Sequence, residues 1–377
     1  MAKDNNYLSP AESRKIAKEN RRRIKAYEAF RKQKNIPEEA YLTQMVNPEN
    51  AVEFDDLQAC FFTDSGTVKA ADGVTFSVPK GKTVAVVGES GCGKSVTSLS
   101  LMQLLPRPQG QITGGAIRLN LGNKAYDITK MPEENMRHLR GKEMSMIFQE
   151  PMTALNPVFR IGEQIEEVLE VHESSSPEQR KTRTLELLRR VGIANPEGVY
   201  GMYPHALSGG MRQRVMIAMA LVCDPKVIIA DEPTTALDVT VQAQILDILK
   251  SLKEKMNSSI LLITHDLGVV AGMADFVVVM YAGRVVERGT AEDIFYRPVH
   301  PYTLGLMASK PVVGKKTDKL YSIPGKVPNP VNMPEHCYFK DRCDRQQEEC
   351  AGEYPVMVQL SPTHYVSCYR KEEEDDR

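Results

Sequence analysis

Gly88-Glu89-Ser90-Gly91-Cys92-Gly93-Lys94-Ser95 is the stretch on which the fold turns. It fits G-x-x-x-x-G-K-[ST], follows a buried strand pattern over Thr83 to Val87, and opens a helical segment. Glycines at these places let consecutive backbone N–H groups turn inward around phosphates, and the helix N-terminus adds positive potential. Lys94 is placed to neutralise β- and γ-phosphates, and the Ser95 hydroxyl to ligate Mg²⁺.

Outward from this loop, Val74 to Val78 alternates as a strand. Val227 to Ala230, Ile260 to Ile263 and Phe276 to Met280 are short, largely β-branched runs, as buried parallel strands are. Longer helical stretches such as Val241 to Lys255 lie between them, an alternation that predicts an α/β layered domain. Residues 160–200 read as helical with no strand, which predicts a helical insertion. The run from Val227 ends in Asp231-Glu232, two carboxylates at the C-terminal end of a strand, where ligands of open α/β sheets bind. Asp231 is expected to hold Mg²⁺ and Glu232 to act as general base on the attacking water.

The chain has 377 residues, 48 Lys+Arg and 49 Asp+Glu, a net charge of −1 that gives no argument for nucleic acid. The longest apolar run, Val215 to Cys223, falls far short of the roughly 18 residues a membrane span needs. No apolar core follows Lys3, so a secretory signal is not expected and the chain should stay in the cytoplasm. Residues 1–34 carry 11 Lys/Arg against four Asp/Glu. Ser9-Pro10-Ala11-Glu12 predicts a helix start with a capping box, running to about Lys34. Its apolar positions (Ile16, Ile24, Tyr27, Phe30) are too sparse for a core. They predict a solvated basic helix, with anionic lipid or an acidic partner face as the sharper alternative.

Leu207-Ser208-Gly209-Gly210-Met211-Arg212-Gln213 precedes the helix leading into the Asp-Glu strand. With this segment the chain resembles the nucleotide-binding subunits of ABC transporters. In that family two such domains stack head to tail, and the Ser-Gly-Gly of one caps the γ-phosphate held by the other. The resemblance assigns Ser208, Gly209 and Gly210 to that cap, although Met211 stands where the general pattern has Gln. Gln149 resembles the residue that contacts Mg²⁺ and the attacking water, and relays nucleotide state to the membrane subunits. Ala236-Leu237-Asp238 resembles the loop that couples the two sites, and His265 the His that contacts the γ-phosphate. Phe62 is the choice for the aromatic that stacks on adenine, with Phe61 close behind. The implied fold is an α/β ABC-type P-loop NTPase core with an antiparallel β edge, a helical subdomain and a small Cys/Pro-rich C-terminal extension.

Three further stretches tighten the resemblance: Phe148 to Pro157, Tyr296 to Pro311, and Ile323-Pro-Gly325. Together with the loop's continuation Val96-Thr97, they are similar to the ATP-binding subunits of oligopeptide and dipeptide importers, over about residues 53–370. The implied function is an ATPase that powers peptide import by ATP-driven dimer closure, with ATP and Mg²⁺ as cofactors. The implied partners are a second related ATPase, two integral membrane permease subunits and an extracellular or periplasmic substrate-binding protein, with the chain peripheral on the cytoplasmic face. Relatives that move nickel complexes or glutathione keep the solute open. A soluble ABC protein of translation or repair usually has two phosphate loops or a long coiled coil, and this chain has one loop and no coiled coil. Three regions are expected: a basic extension at 1–50, a nucleotide-binding domain at 51–300 with its helical subdomain at about 150–220, and a C-terminal region at 301–377.

Cys337, Cys343, Cys350 and Cys368 cluster in a Pro-rich segment that reads as coreless. Their spacing matches neither a zinc ribbon nor a ferredoxin run. An iron–sulfur cluster, zinc and free thiols are therefore all open, with His336 and His364 as reserve ligands. The family resemblance favours a 4Fe–4S cluster, which some members carry on such cysteines.

Overall fold

The computed structural model describes residues 9–235, 238–309 and 321–370. The predicted alternation resolves into two sheets. The larger has a parallel centre made of β7 (Met144–Ile147), β8 (Val227–Asp231), β9 (Ser259–Ile263), β4 (Thr83–Val87) and β10 (Phe276–Tyr281). Strands β4, β8 and β9 are buried at every position, as continuous Val/Ile runs between two covering layers should be. Antiparallel strands β11 (Arg284–Thr290), β13 (Tyr365–Val366) and β12 (Val358–Gln359) finish one edge. The eight strands run in the order β12-β13-β11-β10-β4-β9-β8-β7.

The second sheet is antiparallel and supplies the expected β edge. It joins β1 (Leu42–Thr43), β6 (Ala125–Asp127), β5 (Gly110–Asn120), β2 (Asn50–Thr63) and β3 (Gly66–Pro79), in that order. Phe54 and Phe76 face each other across β2 and β3 with ring centroids 4.5 Å apart, a cross-strand aromatic pair that helps to fix register. The predicted helical insertion is α4 (Pro151–Ala154), α5 (Ile161–His172), α6 (Pro177–Arg190), α7 (Pro196–Tyr200) and α8 (Gly209–Leu221). Leu169, Leu187, Leu188 and Val199 of this insertion share one buried core with Ile147, Ile228 and Ala230 of the parallel sheet.

Helix α1 (Pro10–Arg31) starts at the predicted capping box, in which Glu12 Oε2 accepts from Ser9 N–H at 2.9 Å. Most of its length is solvated as expected, but one side is docked. Asn20 is buried and donates to the Thr63 carbonyl at 2.7 Å, and Arg31 donates to Gln103 Oε1 at 2.9 Å. Tyr27 stacks on Phe62 with centroids 6.1 Å apart. Side-chain hydrogen bonds to the sheet supply the attachment that the sparse apolar positions could not signal.

The C-terminal segment also differs from the coreless reading. Tyr338 and Phe339 are buried in the main core, and Met333, Cys337, Cys343 and Tyr354 pack against it. Tyr338 Oη donates to Asp72 Oδ2 at 2.7 Å, and the Arg284 guanidinium binds the same oxygen from 2.8 Å. Burial pushes the Asp72 carboxyl up, but Tyr338, Arg284 and Lys69 outweigh it and hold the group below its ordinary value. A carboxyl depressed in the folded state lends stability above its unfolded pKa of about 3.9, and that stability is lost as pH falls. Asp72→Asn should therefore be less stable than the parent at pH 6, with the difference shrinking below about pH 4, as read from urea midpoints across pH.

Candidate active site

The phosphate loop joins β4 to α2 (Lys94–Leu101), with Gly93 as the N-cap of the helix. Two glycines are demanded by space as well as by φ. At Gly88 (φ +150°) a Cβ would lie 2.2 Å from the Met280 carbonyl oxygen, and at Gly93 (φ +100°) 2.1 Å from that of Ala70. No side chain fits against backbone at that distance. The Lys94 side chain is buried and curls into the loop, where Nζ donates to the carbonyls of Gly88 at 2.8 Å and Glu89 at 3.1 Å. The cation is thus held inside the ring of loop backbone where phosphate is expected. Cys92 is buried beneath the loop, and burial raises its thiol pKa.

Ser95 Oγ donates to Asp231 Oδ1 at 3.1 Å. Burial pushes the Asp231 carboxyl up, with the neighbouring Glu232 charge adding to it, against the opposing pull of Ser95 and Lys94. A hydroxyl and a carboxylate are hard oxygen donors, and a divalent cation between them would relieve the cost of the buried charge, so the pair fits magnesium. When bound, magnesium would offset phosphate charge beside Lys94.

Glu232 follows directly and sits at φ +46°, a strained left-handed position for a residue with a side chain. Its N–H bonds the Ile263 carbonyl at 2.8 Å, which ties this turn to the end of β9. Three side chains converge on its carboxylate. Gln149 Nε2 donates to Oε2 at 2.7 Å, Thr235 Oγ to the same oxygen at 2.9 Å, and His265 Nδ1 lies 3.0 Å from Oε1. Burial pushes the carboxyl up, but His265 and Thr235 more than offset it, so Glu232 is held below the ordinary range and ionised. The His265 side chain is itself 64 % exposed, open to whatever enters the site.

The structure therefore brings together Gly88 to Ser95, Asp231, Glu232, Gln149 and His265 from separate stretches of chain. Ser208, Gly209 and Gly210 stand elsewhere, at the N-terminus of α8 on the helical insertion. Ser208 Oγ accepts from Met211 N–H at 3.3 Å, and both Ser208 and Gly209 are exposed. Asp238 caps α9 (Val239–Met256), accepting from Val241 N–H at 3.0 Å. Ala236 and Leu237 lie outside the described residues.

Phe62 does not match its expected role. It is 5 % exposed and covered by Tyr27 of α1, so its ring is not free for adenine. Phe61 points to the opposite face of β2 by strand alternation, is only partly buried, and packs on the other side of the sheet. The docking of α1, which separates the two faces, carried no signal at the level of sequence.

Comparison with known proteins decides the class. An ABC transporter model matches residues 71–235, and an oligopeptide/dipeptide transporter C-terminal region model matches residues 286–350. The chain is 51 % identical over 323 residues to the oligopeptide transport ATP-binding protein AppD of Bacillus subtilis, covering 86 % of this chain and 97 % of that one. It is 47 % identical over 325 residues to the dipeptide transport ATP-binding protein DppD of the same organism, covering 86 % and 96 %. The chain belongs to the ATP-binding subunits of the oligopeptide/dipeptide ABC transporter family. A solved dimer of an ATP-binding cassette in a post-hydrolysis state, bound to ADP and Pi, superposes on this ABC ATPase with a TM-score of 0.57 at 26 % identity. The match covers 64 % of the ATPase and 98 % of that chain. Among the described residues no helix is long and apolar enough to cross a membrane.

The cluster expected on the C-terminal cysteines finds no support in this ATPase. None of the four forms a disulfide. Burial pushes Cys337 up to about 11, with weaker contributions from Cys350, Cys368 and Cys343, so the four share one neighbourhood. Charges act over longer distances than a metal–sulfur bond, however, and among the described residues no three His, Cys, Asp or Glu side chains are grouped to hold a metal ion. The reserve ligand His364 is committed elsewhere, with Nε2 2.8 Å from Glu287 Oε1.

Several contacts gave no sign in the sequence. The Thr235 hydroxyl on Glu232 is one. Another is the Tyr302 hydroxyl, which accepts from Glu89 N–H at 2.7 Å. Tyr302 lay within a recognised stretch but had no role attached to it.

Proposed function

We propose that this chain is the ATP-hydrolysing motor of a peptide importer, acting at the cytoplasmic face of the membrane beside a second, related ATPase and two integral membrane subunits. The observation that carries the catalytic part is the Glu232 carboxylate, held ionised between Gln149, Thr235 and His265, next to the Ser95–Asp231 pair. The peptide class is supported by the match at residues 286–350 and by relatives whose names state oligopeptide and dipeptide transport.

In this reading Lys94 and the loop N–H groups receive the β- and γ-phosphates. Ser95 and Asp231 hold magnesium. Glu232 takes a proton from the attacking water, Gln149 and His265 keep its carboxylate aimed, Gln149 also meets magnesium and the water, and His265 meets the γ-phosphate. Asp238 belongs to the loop that couples two such sites, and Phe61, the alternative to Phe62 on the face of β2 that α1 does not cover, meets the base. Ser208, Gly209 and Gly210 cap the γ-phosphate of the partner subunit, which fits the exposure of Ser208 and Gly209 at a helix N-terminus. Nucleotide bridging the two subunits is what distinguishes the closed from the open state. The basic extension at 1–50, the nucleotide-binding domain at 51–300 and the C-terminal region at 301–377 then divide the labour, with the insertion at about 150–220 facing the membrane subunits.

The test is ATP turnover by the reconstituted transporter with its substrate-binding protein. Di- or oligopeptides should stimulate hydrolysis several-fold. Stimulation by a nickel complex or by glutathione instead, with peptides inert, would keep the motor and overturn the peptide assignment.

A further inference from the structure

Arg342 lies 253 residues beyond Glu89, at the end of a 3₁₀ turn over Lys340–Arg342, yet it is bound to the phosphate loop. Its guanidinium makes a two-pronged contact with Glu89: Nη1 donates to Oε2 at 2.7 Å and Nη2 to Oε1 at 3.0 Å. The Arg342 side chain is 5 % exposed. Its Nε donates to the Pro324 carbonyl at 2.8 Å, and Nη1 also reaches the Tyr281 hydroxyl at 3.3 Å. Tyr281, Tyr302 and Phe339 wall the site, with ring centroids 4.7 to 5.5 Å apart. Gly325 allows the close approach, since at φ +76° a Cβ there would lie 3.2 Å from Arg342 Cγ.

Glu89 is the second residue of the loop and is held from both sides. From outside, Arg342 takes its carboxylate and Tyr302 its N–H. From inside, Lys94 takes its carbonyl. The same lysine is the cation expected to meet the phosphates. Anything that lets Glu89 swing therefore moves the carbonyl on which Lys94 is anchored. A fork of two hydrogen bonds fixes the plane of the carboxylate as well as its distance, and burial keeps water from substituting for it.

We propose that the C-terminal segment clamps the phosphate loop through Arg342, a positioning residue that sets the affinity of the loop for Mg-nucleotide. The segment that marks the transporter subfamily thereby acts on the nucleotide site of its own chain. The inference rests on the reading of Gly88 to Ser95 as the nucleotide site.

The test is a double-mutant cycle on the full chain, with the Kd for a fluorescent ATP analogue in Mg²⁺ and the steady-state KM and kcat as readouts. Arg342→Gln and Glu89→Gln should each weaken nucleotide binding about tenfold, and the double variant should be no weaker than either single one. The loss should fall on KM more than on kcat, and Arg342→Lys, which keeps charge but not the fork, should lie in between. Should Arg342→Gln fail to fold, Glu89→Gln and Arg342→Lys carry the same test from the other side of the pair. Folded variants that bind nucleotide as the parent does, or singles whose effects simply add in the double, would overturn the clamp. A parent protein that binds no Mg-nucleotide would instead overturn the site itself, so the two failures are distinct.

Discussion

Glu232→Gln is expected to cut ATP turnover by about 10²–10⁴-fold while Mg-ATP still binds. The substitution keeps the shape of the side chain among Gln149, Thr235 and His265, but it removes the carboxylate assigned as proton acceptor. Lys94, Ser95 and Asp231 are untouched, so the phosphate and magnesium positions survive. Nucleotide should therefore accumulate on the protein as ATP, not ADP, and single-turnover quench experiments would show it. Turnover within a few-fold of the parent would remove Glu232 from the base role and leave the carboxylate as a structural anchor for His265.

Gly93→Ala is expected to be the most damaging small change in the loop. The added Cβ would meet the Ala70 carbonyl oxygen at 2.1 Å and the Gly283 Cα at 3.4 Å, so backbone crowds it from β3 and from the turn between β10 and β11. The left-handed φ of +100° adds its own cost to a residue with a side chain. Together these should destabilise the protein by about 2–5 kcal/mol, a large part of the 5–15 kcal/mol typical of a domain. Because Gly93 caps α2 and precedes Lys94, any relaxation moves the helix N-terminus off the phosphates as well. A large drop in urea midpoint together with lost nucleotide binding is the expected result. Parental stability in the Gly93→Ala variant would mean that the loop has more room than its contacts show.

The residues that meet at the candidate site are largely legible in the sequence because their chemistry is local. A glycine loop between a β-branched run and a helix, and two carboxylates ending another such run, are short patterns with strong physical reasons. Gln149 and His265 were placed by family resemblance, and the structure sets both on Glu232. What could not be read was long-range packing. Phe61 and Phe62 are equal as text, and only the docking of α1 decides which face of β2 is covered. The C-terminal segment reads as coreless because it is short and Pro-rich. In the fold Tyr338 and Phe339 reach the main core, and Arg342 reaches the loop. The four cysteines are expected to hold a cluster from the family resemblance; they share one neighbourhood, but among the described residues no three ligand side chains converge on a metal.

The most direct measurement is calorimetric titration of the full chain with Mg-ATP, beside Lys94→Ala. The parent should show saturable binding of one nucleotide per chain, dependent on Mg²⁺ and weakened at least about tenfold when Lys94 is removed. A parent that takes up no nucleotide, or a Lys94→Ala protein that binds it just as tightly, would remove Gly88 to Ser95 as the nucleotide site.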